Sequence, residues 1–155
     1  MSAVVPSKGD LKNVIHKAFK DAVRPERVHI IEHECWECGE VRDDFAEYDH
    51  DHVPAAILER HWASLPLFSA AALRYFLPSY LCYSLDHVRS GVTEHLIYQL
   101  SPSDVTSARW QERIGVFSED ERAAICKYLN YMGAYESKWA MADIQTAKRI
   151  WCTPR

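Results

Sequence analysis

One stretch decides what this chain can fold into. It is Ser69–Leu85, SAAALRYFLPSYLCYSL, and its only charge is Arg74. Bulky apolar and aromatic side chains fall on every face of a helix drawn through it. A helix that is apolar all round belongs inside a protein, with other elements packed about it. Pro78 sits mid-stretch, where it cannot donate the backbone bond that the Arg74 carbonyl would accept, and it disfavours the α region at Leu77. The sequence therefore predicts two short helices, about 70–76 and 78–86, meeting at a kink.

The remaining patterns supply helices to surround this pair. Over residues 8–23, Leu11, Val14, Ile15, Ala18, Phe19 and Ala22 recur at three and four, and Pro25 stops the run. Val28–Ile31 is a short β-branched run, extended or a last helical turn. After the HECWEC segment at 33–38 a helical pattern continues to about Glu47. Within it Val41 and Phe45 are four apart, while Glu37, Glu40, Asp44 and Glu47 follow another face. Tyr48–His52 has no apolar period and reads as a loop. Pro54 suits a first helical turn, with Ile57, Leu58, His61 and Trp62 as the buried stripe. Pro66 ends that helix. Val92, Leu96, Ile97 and Leu100 mark another short helix, and the region 104–116 allows one or two helical turns around Val105 and Trp110.

Ser118-Glu119-Asp120-Glu121 is a capping box, in which serine and glutamate each satisfy the other's free amide, worth about 1 kcal/mol. Its helix carries Ile125, Tyr128, Leu129 and Met132, with Gly133 as the expected terminator. A last helix, about Ser137–Trp151, carries Trp139, Ala142, Ile144, Ala147 and Trp151. No repeat or linker interrupts the 155 residues. The expected fold is thus all-α: one domain, 1–155, a compact bundle of six or seven short helices around a proline-kinked central buried helix pair.

Charge is distributed unevenly. Between Glu32 and Asp51 stand nine acids and one base, Arg42, so this segment carries −8 against a chain total of −4. Such a field repels phosphate backbones and attracts cations or basic surfaces. Nucleic acid is not the expected partner of this region. No apolar run reaches the ~20 residues of a membrane span, and the first ten residues lack the basic and apolar parts of an export signal. The five cysteines (35, 38, 82, 126 and 152) are an odd number, so reduced thiols and a cytoplasmic location are expected. On that reading Cys82, Cys126 and Cys152 are small buried hydrophobes.

Two chemistries compete in the acidic segment. His33-x-Cys35-x-x-Cys38 sets two thiolates and an imidazole at a spacing that can hold zinc, with His50 or His52 among the candidates for a fourth ligand. The single residue between His50 and His52 is too short for a zinc-finger pair. A dithiol redox reading lacks the βαβ setting that usually accompanies it. His50 and His52 with Asp49 and Asp51 resemble the donors of a metal hydrolase, although a solvated polar loop explains them as well. Glycine-rich phosphate loops, a GxSxG elbow and HExxH are all absent, so no catalytic residue is assigned.

Three stretches look familiar together. They are HECWEC at 33–38 with Glu40 and Phe45 after it, LRYFLPSYL at 73–81, and Val116-Phe117 ahead of AICKYL at 124–129. In that order and spacing they resemble a bacterial family of small proteins, domain of unknown function 6714, over about residues 11–132. The tail from Tyr135 and the loop Asp49–Val53 lie outside the match. The resemblance implies bacterial origin and a compact helical domain, and it transfers no catalytic residue.

The functional expectation is a non-catalytic, immunity- or antitoxin-like binding module. It would meet a basic protein partner through Trp36, Glu37, Glu40, Asp44 and Glu47, with no cofactor. The alternative is a zinc protein using His33, Cys35 and Cys38, with His50 and His52 nearby.

Overall fold

Serine hydroxyls open five of the helices. In the computed structural model, which describes residues 6–104, 106–135 and 140–154, Ser7 Oγ accepts from the Asp10 amide at 3.1 Å and Ser69 Oγ from Ala72 at 3.1 Å. Ser90, Ser107 and Ser118 do the same for Thr93, Trp110 and Glu121. Each hydroxyl satisfies an amide that helix geometry leaves without a partner. At Ser118 the box closes, because Glu121 Oε1 accepts from the Ser118 amide at 2.7 Å.

The helices are α1 (Lys8–Ala18), α2 (Cys38–Phe45), α3 (Ala55–Arg60), α4 (Ala70–Asp86), α5 (Gly91–Leu100), α6 (Ala108–Gly115), α7 (Glu119–Tyr135) and α8 (Met141–Trp151). Short 3-10 turns lie at Arg27–His29 and Leu65–Leu67. The one β-type pairing among the described residues is an isolated bridge between Ile31 and Phe68. The fold is all-α.

The central element differs from its expectation. Ala70–Asp86 is one helix of 17 residues with Pro78 inside it, not two helices meeting at a break. Losing one backbone bond to proline costs about 3 kcal/mol. Burial on all sides outweighs that: Phe76, Tyr80, Leu81 and Leu85 have no exposed surface, and Leu77 has 1%. At about 1.5–3 kcal/mol for each buried large apolar side chain, the packing around α4 exceeds the cost several-fold.

α1, α5 and α6 pack on α4, while α1 also packs on α7, and α8 covers α7 and α5. Two aromatic clusters fill the interior. Phe45 meets Phe68 and Phe76 edge-on at 4.9 and 5.1 Å between centroids, and Phe117 meets Trp151 at 5.2 Å and Phe19 at 6.1 Å. Edge-to-face pairs of this kind add about 0.5–1.5 kcal/mol beyond area burial.

Two expectations at the C-terminal end change. Gly133 does not stop α7, which continues to Tyr135. A Cβ there would lie 3.3 Å from Ile144 Cγ2, so the missing side chain serves the approach of α8. Cys126 and Cys152 are not separate buried thiols: a disulfide joins them, their Cα atoms 5.0 Å apart. A sequence separation of 26 hid that pairing in the sequence, and the packing of α7 on α8 creates it. Trp139, Val105 and the expected start of the last helix at Ser137 lie outside the described residues. Trp62, expected in a buried stripe, is 51% exposed.

Candidate functional site

The acidic segment is tied to the core at its beginning. Ser69 donates its amide to the Ile30 carbonyl at 2.8 Å and its hydroxyl to the His29 carbonyl at 2.7 Å. Arg113, 5% exposed, donates to the Phe68 and Leu65 carbonyls at 2.6 and 3.0 Å. Burial lowers its pKa to about 10, which still leaves it charged at neutral pH. These bonds fix the chain on either side of the Ile31–Phe68 bridge, and residues 32–37 leave the surface from that anchor.

Within the segment the acids divide by residue type. All four aspartates meet bases. Asp43 lies 2.6 Å from Arg27 and 3.2 Å from Arg42, and their hydrogen bonds hold its carboxyl below the ordinary value. Asp44 Oδ2 lies 2.7 Å from His61 Nε2 and 3.2 Å from Arg60 Nη1. The His61 hydrogen bond is the main reason that its pKa is also lowered. Asp49 faces Arg24 at 3.5 Å, and Asp51 faces His16, His50 and His52. The five glutamates, 32, 34, 37, 40 and 47, are exposed and form no ion pair with a described residue.

Of the expected partner-binding residues, Trp36, Glu37, Glu40 and Glu47 are therefore open to solvent, and Trp36 is 95% exposed. Asp44 is the correction. His61 is 6% exposed, stands 5.7 Å from the Phe45 ring, and takes up Asp44 as its partner on the inner side of α2. The sequence pattern set Asp44 on one face with the glutamates, whereas its carboxylate turns to His61 and Arg60. The pattern gave no sign that α3 would bring a histidine there.

Beside Trp36 lies a depression of about 510 Å³ lined by Val28, Ile31, Glu32, His33, Glu34, Cys35, Cys38, Gly39 and Arg42. Val28 is 67% exposed, so the hollow combines an apolar patch with an acidic edge. His33, Cys35 and Cys38 meet here, their nitrogen and sulfur atoms all within 4.8 Å of one another. The expectation of free thiols fails at this pair too: Cys35 and Cys38 are joined as a disulfide across the first turn of α2, Cα atoms 5.1 Å apart. A disulfide has no thiolate to offer a metal.

His50 and His52 do not join this group. The His50 ring packs at a tilt against Tyr75, centroids 5.1 Å apart, and its carbonyl accepts from Ser79 Oγ, while His52 is exposed and lies 2.7 Å from Asp51. The loop that carries them folds over α4 rather than toward Cys38. Glu40, Asp44 and His61 form the other gathered donor group among the described residues. Asp44 and His61 already satisfy each other there, with Arg60 as third partner.

Sequence reasoning missed one further arrangement. Cys82 Sγ lies 3.8 Å from His16 Nε2, and His16 Nδ1 lies 3.4 Å from Asp51 Oδ2. The order thiol, imidazole, carboxylate is that of a nucleophile relay. Burial pushes the Cys82 thiol up to about 12, however, so it stays protonated and inert near neutral pH. The signal lay in no motif, because the three residues come from separate parts of the chain.

No helix among the described residues is long and apolar enough to cross a membrane. No curated protein and no solved structure matches the chain. One family model does, over residues 7–154, which takes in both the Asp49–Val53 loop and the tail. The chain belongs to that family, whose description is "Family of unknown function (DUF6714)".

Proposed function

We propose that this protein is a non-catalytic binding module that lays its 32–37 loop and the outer face of α2 against a basic patch on another protein. The observation that carries the reading is Trp36, a tryptophan 95% exposed among glutamates that form no ion pair with a described residue. Exposed tryptophan is costly to leave in water and is the residue type most enriched at the energetic centre of interfaces. The glutamates supply orientation and a fast encounter with a positive surface. Val28 and the adjoining hollow give a lysine or arginine stem somewhere to lie. Phosphate-bearing partners are repelled by the same charges. Blocking a basic partner in this way is what an immunity or antitoxin-like protein does.

The test uses the intact chain as bait in extract from its own cells, beside Trp36→Ala and Glu34→Lys/Glu37→Lys. A basic protein held by the wild type should then be purified and its affinity measured at low and high salt. Trp36→Ala should weaken it by roughly thirtyfold, the effect of losing a hot-spot side chain. The charge reversal should slow association and flatten the salt dependence. A partner that binds both variants as tightly as the wild type refutes the reading. Asp44 is left untouched because its replacement would release His61 and Arg60.

A further inference from the structure

We infer that the Cys35–Cys38 disulfide masks a divalent-metal site of zinc type, and that reduction exposes it. The argument begins with donor identity. Two sulfurs and one imidazole nitrogen lie within 4.8 Å of one another on a single short segment, with His33 Nε2 3.8 Å from Cys38 Sγ. Thiolate and imidazole are the donors that zinc prefers, and three protein ligands with an open fourth position are a common zinc arrangement. In the oxidised chain the electron pairs that would reach the metal are committed to the S–S bond. Disulfide and metal are thus alternatives at one place.

The surroundings favour both states. Cys38 is the first residue of α2, and its helix begins at Glu37 with no side-chain cap. The Cys38 amide donates to the Cys35 carbonyl at 3.2 Å, and the positive end of the α2 dipole lies at Cys38, where it favours a thiolate. Glu32 and Glu34 line the same hollow and lower the electrostatic cost of bringing in a dication. The site opens to solvent through His33, so a metal needs no rearrangement of the core to enter.

The chemistry balances with a dithiol as the reductant. Its two sulfurs give two electrons and two protons to Cys35 and Cys38 and close into their own disulfide. The zinc ion then displaces the two thiol protons to solvent and takes both thiolates and His33, with water in the fourth position. A two-electron oxidant that re-forms the S–S bond would release the ion. The inference does not rest on the docking reading, since metal uptake is measured on the chain alone.

Zinc chloride and cobalt chloride are the probes. The full chain is reduced with dithiothreitol, freed of reductant without air, and titrated beside the untreated oxidised chain. About one equivalent should bind the reduced chain and less than about a tenth the oxidised one. The cobalt form should show thiolate charge-transfer and tetrahedral d–d absorption. Cys35→Ser/Cys38→Ser should abolish uptake, and His33→Ala should weaken it more than about tenfold. Reduction also opens Cys126–Cys152, so Cys126→Ser/Cys152→Ser serves as the control and should bind like the wild type. Circular dichroism of each variant separates lost ligands from lost fold; should the buried Cys38→Ser change unfold the chain, Cys35→Ser alone carries the test. A reduced chain that takes up no zinc, or a folded cysteine variant that binds as tightly as the wild type, overturns the inference.

Discussion

Aspartates and glutamates of one short segment meet opposite fates in this protein. Asp43, Asp44, Asp49 and Asp51 each lie within 3.5 Å of a base, whereas Glu32, Glu34, Glu37, Glu40 and Glu47 are exposed and unpaired among the described residues. The same formal charge thus serves two purposes. The aspartates stitch the segment to α1, α3 and the Arg27–His29 turn. The glutamates face outward, where a local excess of negative charge is free to act on something else. Net charge along the sequence measures the total and cannot separate the two. The outward part, rather than the whole −8, is the part available to a partner.

Four experiments would break or sharpen this contrast. The largest effect is expected from a carboxylate placed where neither water nor base can reach it. Leu81→Asp in α4, at a position with no exposed surface, should cost more than about 4 kcal/mol and leave the chain unfolded by circular dichroism. A native melting temperature would move α4 out of the core. Next comes Glu121, 1% exposed, which accepts from Arg74 Nε at 2.8 Å and closes the Ser118 cap. Glu121→Ala should lower stability by about 2–3 kcal/mol in urea, less than a fully buried pair would because Arg74 can turn to water.

Asp44→Asn should cost about 1 kcal/mol at neutral pH. Its pH dependence has a definite sign. The folded carboxyl, held by His61 and then by Arg60, titrates below its ordinary 3.8. The wild type therefore keeps this contribution above about pH 4 and loses it as pH falls through the lowered value. The variant should lack that part of the acid dependence, and an unchanged acid limb would show that the pair does nothing for stability. Smallest of all, Glu34→Gln/Glu37→Gln should shift stability by less than about 0.5 kcal/mol. A loss above about 1 kcal/mol would make these acids structural and remove the free surface.

Much of the architecture was legible because helices advertise themselves locally. The Ser118–Glu121 box, the apolar period of α1 and the all-round apolar character of α4 each specify an element without reference to the rest of the chain. Four other serine caps were equally local and went unread. What sequence could not express was pairing between distant segments: Glu121 with Arg74, Asp44 with His61, Cys126 with Cys152. Pro78 failed as a breaker for the same reason, since its cost is local while the packing that outweighs it comes from helices far along the chain. For the candidate site, the spacing of His33, Cys35 and Cys38 was enough to anticipate that their donor atoms gather. The bond between Cys35 and Cys38, the exposure of Trp36 and the absence of His50 and His52 required the fold.

The sulfur bridge between α7 and α8 has a mechanical consequence. Tension applied to the chain beyond Cys152 would pass straight across to Cys126, midway along α7, leaving the 25 residues between them slack. The final helix therefore cannot be stripped away first, as an unlinked terminal helix could be. A pulling machine would have to dislodge α7 from α1 as its opening move, and a reductant would restore the easier order.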